Sequence, residues 1–121
     1  MLVGYLSLRQ LGAALGMTSL GGQAQSVRPL LVPMLYGLVP DNSPNKPKLA
    51  AFAAGTDNVA LFFGEDLFLA FGAVLLMQTS MASLGHVLSP LEIALWGIPS
   101  ALTAYAIQSF RAVRLGKELA R

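Results

Sequence analysis

Three acidic residues, Asp57, Glu65 and Asp66, stand in the run TDNVALFFGEDLFLAFG, inside one of the most hydrophobic stretches of the chain, Leu49 to Ala82. Ionised carboxylates among Leu61, Phe62, Phe63, Leu67, Phe68 and Phe71 are costly in lipid and unusual in a soluble core, so they point to a polar pathway or ligand site. Each acidic group near a membrane centre costs about 2.5 to 3.5 kcal/mol, whereas each large apolar residue returns about 0.3 to 0.6 kcal/mol. Three carboxylates on one lone straight helix would cancel most of the apolar gain. They therefore lie either near an interface or against protein and water.

Helical periodicity puts Asn58 and Glu65, seven residues apart, on one face, and Asp57 and Asp66, nine apart, on opposite sides. The spacing predicts a helix broken at Gly55 and Gly64 that turns these groups toward a cavity, as discontinuous helices do in secondary transporters. In that arrangement Asp57, with Glu65 and Asp66, carries a coupling proton or cation, because a carboxylate in low dielectric can be loaded and unloaded as the site changes access. Thr56 and Asn58 beside it are candidate substrate ligands. The competing reading for Glu65 and Asp66 is that they cap the following helix at the membrane surface, where acids favour the helix dipole.

A second polar cluster occupies GMTSLGGQAQSVR, Gly16 to Arg28. Its consecutive glycines, with Thr18, Ser19, Gln23 and Gln25, are not written for a lipid-facing helix; at a helix break such groups can hold a carboxylate or a dehydrated cation. Arg28 either adds a charge-assisted contact to an anion or snorkels to the headgroups beside Pro29. Arg9 and Gln10 carry the same ambiguity. His86, the single histidine, falls in a predicted turn and reads as a solvated loop residue.

The elements that must position these groups read as all-α: a polytopic helical membrane protein with broken or re-entrant helices. The chain is 55% hydrophobic and 12% charged, and its mean hydropathy is +0.61. Soluble domains of this size carry about twice that charged fraction. One membrane module is expected. Residues 1–40 hold a first helix, Leu2 to Leu20, and a half-helix bracketed by Pro29, Pro33 and Pro40 that is too short to cross a bilayer. Residues 41–48, DNSPNKPK, form a polar linker. Residues 49–110 hold two or three membrane helices, the last, Leu91 to Phe110, with the length and apolarity of a spanning helix. Residues 111–121 form a basic tail whose Arg111, Arg114, Lys117 and Arg121 place the C-terminus on the cytoplasmic side. Gly12 and Gly16 make a GxxxG spacing suited to close helix packing in lipid.

Other classes find little support. The basic residues have neither a polar domain nor interleaved stacking aromatics, which argues against nucleic-acid binding. Without cysteine there is no disulfide framework or thiol nucleophile. No metal-ligand cluster, phosphate loop or cofactor motif is present. An intramembrane hydrolase using Asp57 and Asp66 lacks any accompanying motif, so no enzymatic activity is expected. The opening MLVGYLSLRQLGAALG has no basic n-region and is already membrane-like at Val3, so Met1 is expected to lie inside a longer natural protein.

The runs GMTSLGGQAQSVRPLLVPM, TDNVALFFGEDLFLAFGAVLLMQ and LEIALWGIPSALTAYAIQSFRAVRL resemble, nearly end to end, the C-terminal half of a bacterial inner-membrane family, the domain-of-unknown-function family nine-six-nine. The resemblance implies a bacterial inner-membrane location, a second membrane subunit as partner, and a role as half of a two-subunit permease for 5-oxoproline (pyroglutamate). Family members look longer, with further membrane helices ahead of the segment matching Leu2 to Leu20, and with a longer loop at Asp41 to Lys48. No site residues come with the resemblance. The expected function is a membrane subunit of a secondary transporter for a small organic acid, with lipid, a partner subunit and a coupling proton or cation. The alternative is a non-transporting scaffold that holds a partner permease through Gly12, Gly16, Ala50 and Ala54.

Overall fold

A computed structural model describes residues 1–68 and 72–119, without the side chains of residues 20 and 23. Among the described residues every regular element is helical. Helix α1 (Leu2–Ala14) is followed by a 3₁₀ turn (Thr18–Leu20) and a π-helical segment (Gln23–Leu31) that runs directly into α2 (Val32–Tyr36). Then come α3 (Lys46–Glu65), α4 (Gly72–Ser83) and α5 (Pro90–Leu119).

Local sequence sets most of the boundaries. Helix α1 stops in a Schellman arrangement: the Met17 N–H donates to the Gly12 carbonyl at 2.8 Å and the Gly16 N–H to Ala13 at 2.9 Å. Gly16 takes the left-handed conformation this turn requires, with φ 79°. The same pair of bonds closes α4, from His86 to Met81 and Gly85 to Ala82. Helix α5 opens with a reciprocal capping box, in which the Ser89 N–H donates to Glu92 Oε2 at 2.7 Å and the Glu92 N–H to Ser89 Oγ at 3.2 Å, with Pro90 as the first helical residue.

Contacts between α1 and α3 advance together along both helices, from Tyr5 and Arg9 on Asp57 to Gln10 and Ala13 against Gly64. The two helices therefore run parallel. Helix α5 runs the opposite way: Ser7 meets Tyr105, Gln10 meets Ala101, Thr56 meets Gln108, and Lys48 meets Glu118. The π segment and α2 return the chain along this bundle, burying Val27, Leu31 and Leu35 with Leu2, Leu49, Ala53, Ala112 and Leu115. Lys46, Lys48, Arg111, Arg114 and Lys117 gather at that same end.

Four expectations are corrected. Helix α3 is unbroken through Gly55 and up to Glu65, because one face of a continuous helix suffices to bury Thr56 and Asp57 while Asn58 stays exposed. Gly12 and Gly16 do not form a helix face, since Gly16 lies beyond the end of α1. Residues 111–119 are not a tail but the last turns of α5, anchored by Ala112 and Leu115 in the core. No helix among the described residues is long and apolar enough to cross a membrane, including the one covering Leu91 to Phe110. Helices α1 and α4 show 13 and 12 residues, α3 contains Lys46, Lys48, Asp57 and Glu65, and α5 is diluted by Glu92, Gln108 and Arg111.

Close approach of α1 and α3 depends on Gly64, where an added Cβ would stand 2.6 Å from both the Ala13 Cβ and the Gln10 carbonyl oxygen. Gly64→Ala is expected to cost about 1–3 kcal/mol through forced separation of two backbones. Gly55→Ala, which meets nothing within 4 Å, is expected to be neutral or stabilising by up to about 1 kcal/mol. Thermal unfolding of both variants in the same detergent checks the contrast.

Candidate functional site

The side chains of Arg9 and Asp57 meet in the interior between α1 and α3, 7% and 2% exposed. Each lies on a helix otherwise rich in Leu and Ala, and each is tolerable there because the other is present. Arg9 Nε donates to Asp57 Oδ1 at 2.9 Å, and Tyr5 Oη, one turn earlier on α1, donates to the same oxygen at 2.6 Å. Arg9 Nη1 donates to the Thr18 carbonyl at 2.8 Å, tying the 3₁₀ turn to the pair. An ion pair removed from water is stable only when such bonds replace its hydration.

Beside Arg9 lies an open cavity of about 270 Å³, lined by Tyr5, Arg9, Met17, Gly21 and Ser26 among others. The glycine pair matters here: a Cβ on Gly21 would sit 3.4 Å from Arg9 Cδ, and one on Gly22 3.5 Å from Arg9 Nη2. Arg9 therefore packs against the Gly21–Gly22 backbone, with Ser26 Oγ and Gln25 Oε1 close to the same two positions.

A second polar group lies deeper along α5. Gln108 Nε2 donates to Thr56 Oγ1 at 2.8 Å, and that hydroxyl donates to the Phe52 carbonyl at 2.8 Å. Gln10 Nε2 donates to the Ala101 carbonyl at 3.1 Å, and Ser7 Oγ and Tyr105 Oη share a bond of 2.7 Å. Gln10 Oε1 and Ser109 Oγ are buried without a partner among the described residues. At the basic end, the Lys48 ammonium holds the exposed Glu118 carboxyl below the usual carboxylate range, with Arg114 as a further partner.

A family model described as Protein of unknown function (DUF969) matches residues 1–120. The chain belongs to that family. No curated protein and no solved structure matched the DUF969 chain in the comparisons.

The residues singled out in the DUF969 sequence separate into distinct places. Asp57 is at the centre of the buried pair, and Thr56 is beside it but turned to Gln108. Thr18 joins the pair through its carbonyl rather than its hydroxyl. Ser19, Gln25 and Arg28 are exposed, and the side chain of Gln23 lies outside the described ones. Asn58 and Glu65 share the opposite face of α3, where they line an open groove with Phe62 and Phe63. Asp66 is the residue after α3, its carbonyl 3.4 Å from where a Cβ on Gly97 would stand. Among the described residues, Asp57 and the Thr18 carbonyl meet Arg9, and Gln25 Oε1 reaches the same Gly22 position as Arg9 Nη2, whereas Asn58, Glu65 and Asp66 lie elsewhere.

Tyr5 and Gln108 have no part in the sequence reading, and Arg9, weighed there only for an anion contact or for snorkelling, is instead the partner of Asp57. The available signal was Arg9 itself: a basic residue amid LVGYLSLRQLGAALG demands an acid as much as Asp57 demands a base. Replacing either member alone, Arg9→Gln or Asp57→Asn, is expected to cost about 3–5 kcal/mol by leaving the other charge buried and unpaired. The double variant is expected to cost less than the sum of the two. A denaturant-unfolding double-mutant cycle measures the difference.

Proposed function

We propose that the chain is a membrane-embedded subunit of a secondary transporter for a small organic acid, with 5-oxoproline the substrate suggested by the family resemblance. The observation that carries this reading is the Arg9–Asp57 pair beside its cavity, half-way along a bundle that exposes many large apolar side chains. Helix α3 has 20 residues, about 30 Å at 1.5 Å per residue, close to the hydrocarbon thickness of a bilayer. Asp57 is its twelfth residue, near the middle of the helix, and ionisable groups at such a place in a membrane mark substrate and ion pathways.

In this reading α1, α3 and α5 are embedded in the bilayer as a group, none crossing it unaided, with the Arg9–Asp57 pair inside and Leu8, Leu11, Leu102, Ile107 and Phe110 turned outward. Helix α5, with 30 residues, exceeds the hydrocarbon layer, and its basic last turns join Lys46 and Lys48 among the cytoplasmic headgroups. Asp57 takes up the coupling proton or cation. A second membrane subunit completes the permease in the bacterial inner membrane.

A non-transporting scaffold is the second reading, favoured by the bonds of Gln10 to Ala101 and Ser7 to Tyr105, which serve as interhelical glue whatever the pair does. The two readings separate in one experiment. Labelled 5-oxoproline uptake is measured in cells supplying this protein with the second membrane subunit, for wild type and Asp57→Asn. Loss of uptake with insertion and subunit assembly intact is the expected result. Unchanged uptake would remove Asp57 from the coupling role, and loss of assembly together with uptake would favour the scaffold.

A further inference from the structure

Among the described residues Arg9 and Asp57 are the two charges in direct contact at the buried site, and their pairing dictates how an anion can enter. Around Asp57, α1 contributes Arg9 and Tyr5, while α5 contributes the neutral Gln108 through Thr56. Glu65, two turns further along α3, interacts electrostatically with Arg9 from a distance. The π segment presents Ser26 on the cavity side. A carboxylate added beside Arg9 would leave the site with excess negative charge in a low-dielectric interior, which is strongly unfavourable.

We propose that the cavity lined by Arg9, Tyr5, Ser26 and Gly21 binds the carboxylate of a small organic acid, and that Arg9 exchanges Asp57 for this carboxylate when Asp57 is neutralised. The inference rests on the transport reading only for its physiological setting; the binding site is defined by its own geometry.

Arg9 has the donors for both states. Its five N–H groups form a planar fork, of which Nε holds Asp57 and Nη1 holds the Thr18 carbonyl. The Nη2 edge lies beside Gly22, where an added Cβ would stand 3.5 Å from Nη2 and 3.3 Å from Gln25 Oε1, and Arg9 itself lines the cavity. The Thr18 carbonyl bond keeps the guanidinium in place while its carboxylate partner changes. Tyr5 Oη, which donates to Asp57 and lines the cavity, can turn its proton to the incoming carboxylate, and Ser26 Oγ, hydrogen-bonded to Tyr5 Oη, can turn with it.

Charge balance then sets the stoichiometry. One carboxylate enters for each single positive charge, a proton or a monovalent cation, delivered to Asp57. The occupied site is again neutral, so substrate and coupling ion move together without net charge at this pair. This differs from a site where a free arginine waits for the anion, because here the empty protein keeps the arginine satisfied.

The test is binding of acetate to the purified chain in detergent, read as a shift in melting temperature and by equilibrium dialysis, with chloride replacing acetate at constant ionic strength. Asp57→Asn mimics the neutralised state. It is expected to bind acetate at least about tenfold more tightly than wild type, as for one charge-assisted pair made available, and to regain melting temperature as acetate is added. Arg9→Gln combined with Asp57→Asn is expected to lose that response. Should Asp57→Asn fail to accumulate, wild type is compared with Ser26→Val, which removes the hydroxyl from the cavity lining and keeps both Arg9 and Asp57, and weaker acetate binding by at least about fivefold is expected, as for one lost hydrogen bond. Equal acetate responses in wild type, Asp57→Asn and the double variant would overturn the proposal, as would unchanged binding in Ser26→Val. Acetate binding as described, in a protein that supports no organic-acid uptake, would keep this site and overturn the transport reading. Asp57-dependent uptake without any acetate response would do the reverse.

Discussion

Burying one arginine and one aspartate together is the constraint on which the rest of the arrangement depends. Either charge alone inside this bundle would be destabilising by several kcal/mol, so α1 and α3 hold only in the register that brings Arg9 onto Asp57. That register in turn presses Gln10 and Ala13 against Gly64 and puts Ala53 and Leu49 opposite Leu2. Small residues on α3 are thus explained by the ion pair as much as by packing: a larger residue at Gly64 would hold the helices too far apart for a 2.9 Å bond a few turns away.

The polar residues fall into a hierarchy of roles. Asp57 and Arg9 specify which helices meet; Gln10, Ser7, Gln108 and Thr56 specify the register of α5 against them. The exposed charges at the basic end contribute little to stability, as solvent-facing pairs generally do. Lys46, Lys48, Arg111, Arg114 and Lys117 all emerge at one end of the bundle, which makes that end strongly basic.

The sequence made some of this readable and concealed the rest for physical reasons. Helical character, and the exceptional standing of Asp57, follow from composition and from the cost of a lone carboxylate among Leu and Phe. The capping box at Ser89 to Glu92 is a local signature and was there to be read. Arg9 as partner of Asp57 was not, because the two lie 48 residues apart and periodicity within one helix says nothing about which neighbour it meets. The glycines misled for a similar reason: Gly12 and Gly16 have the spacing of a packing face, but a left-handed turn places Gly16 outside the helix, whereas the close contact falls on Gly64, whose role depends on a partner helix. A break at Gly55 was inferred from four polar groups that cannot share a face, and the fold answers by leaving Asn58 and Glu65 on the other face.

Parallel alignment of α1 and α3 has a consequence for assembly order. Two parallel helices cannot be joined by a tight hairpin, so the chain between them must travel back along the bundle, which the π segment and α2 accomplish. Contact between Arg9 and Asp57 therefore closes a long loop, and closure of such loops lags behind local helix formation. The two charges remain hydrated until the return path is in place. Desolvation of the pair thus acts as a late checkpoint in folding: a chain that mispairs its helices keeps its ions in water and gains nothing from compaction.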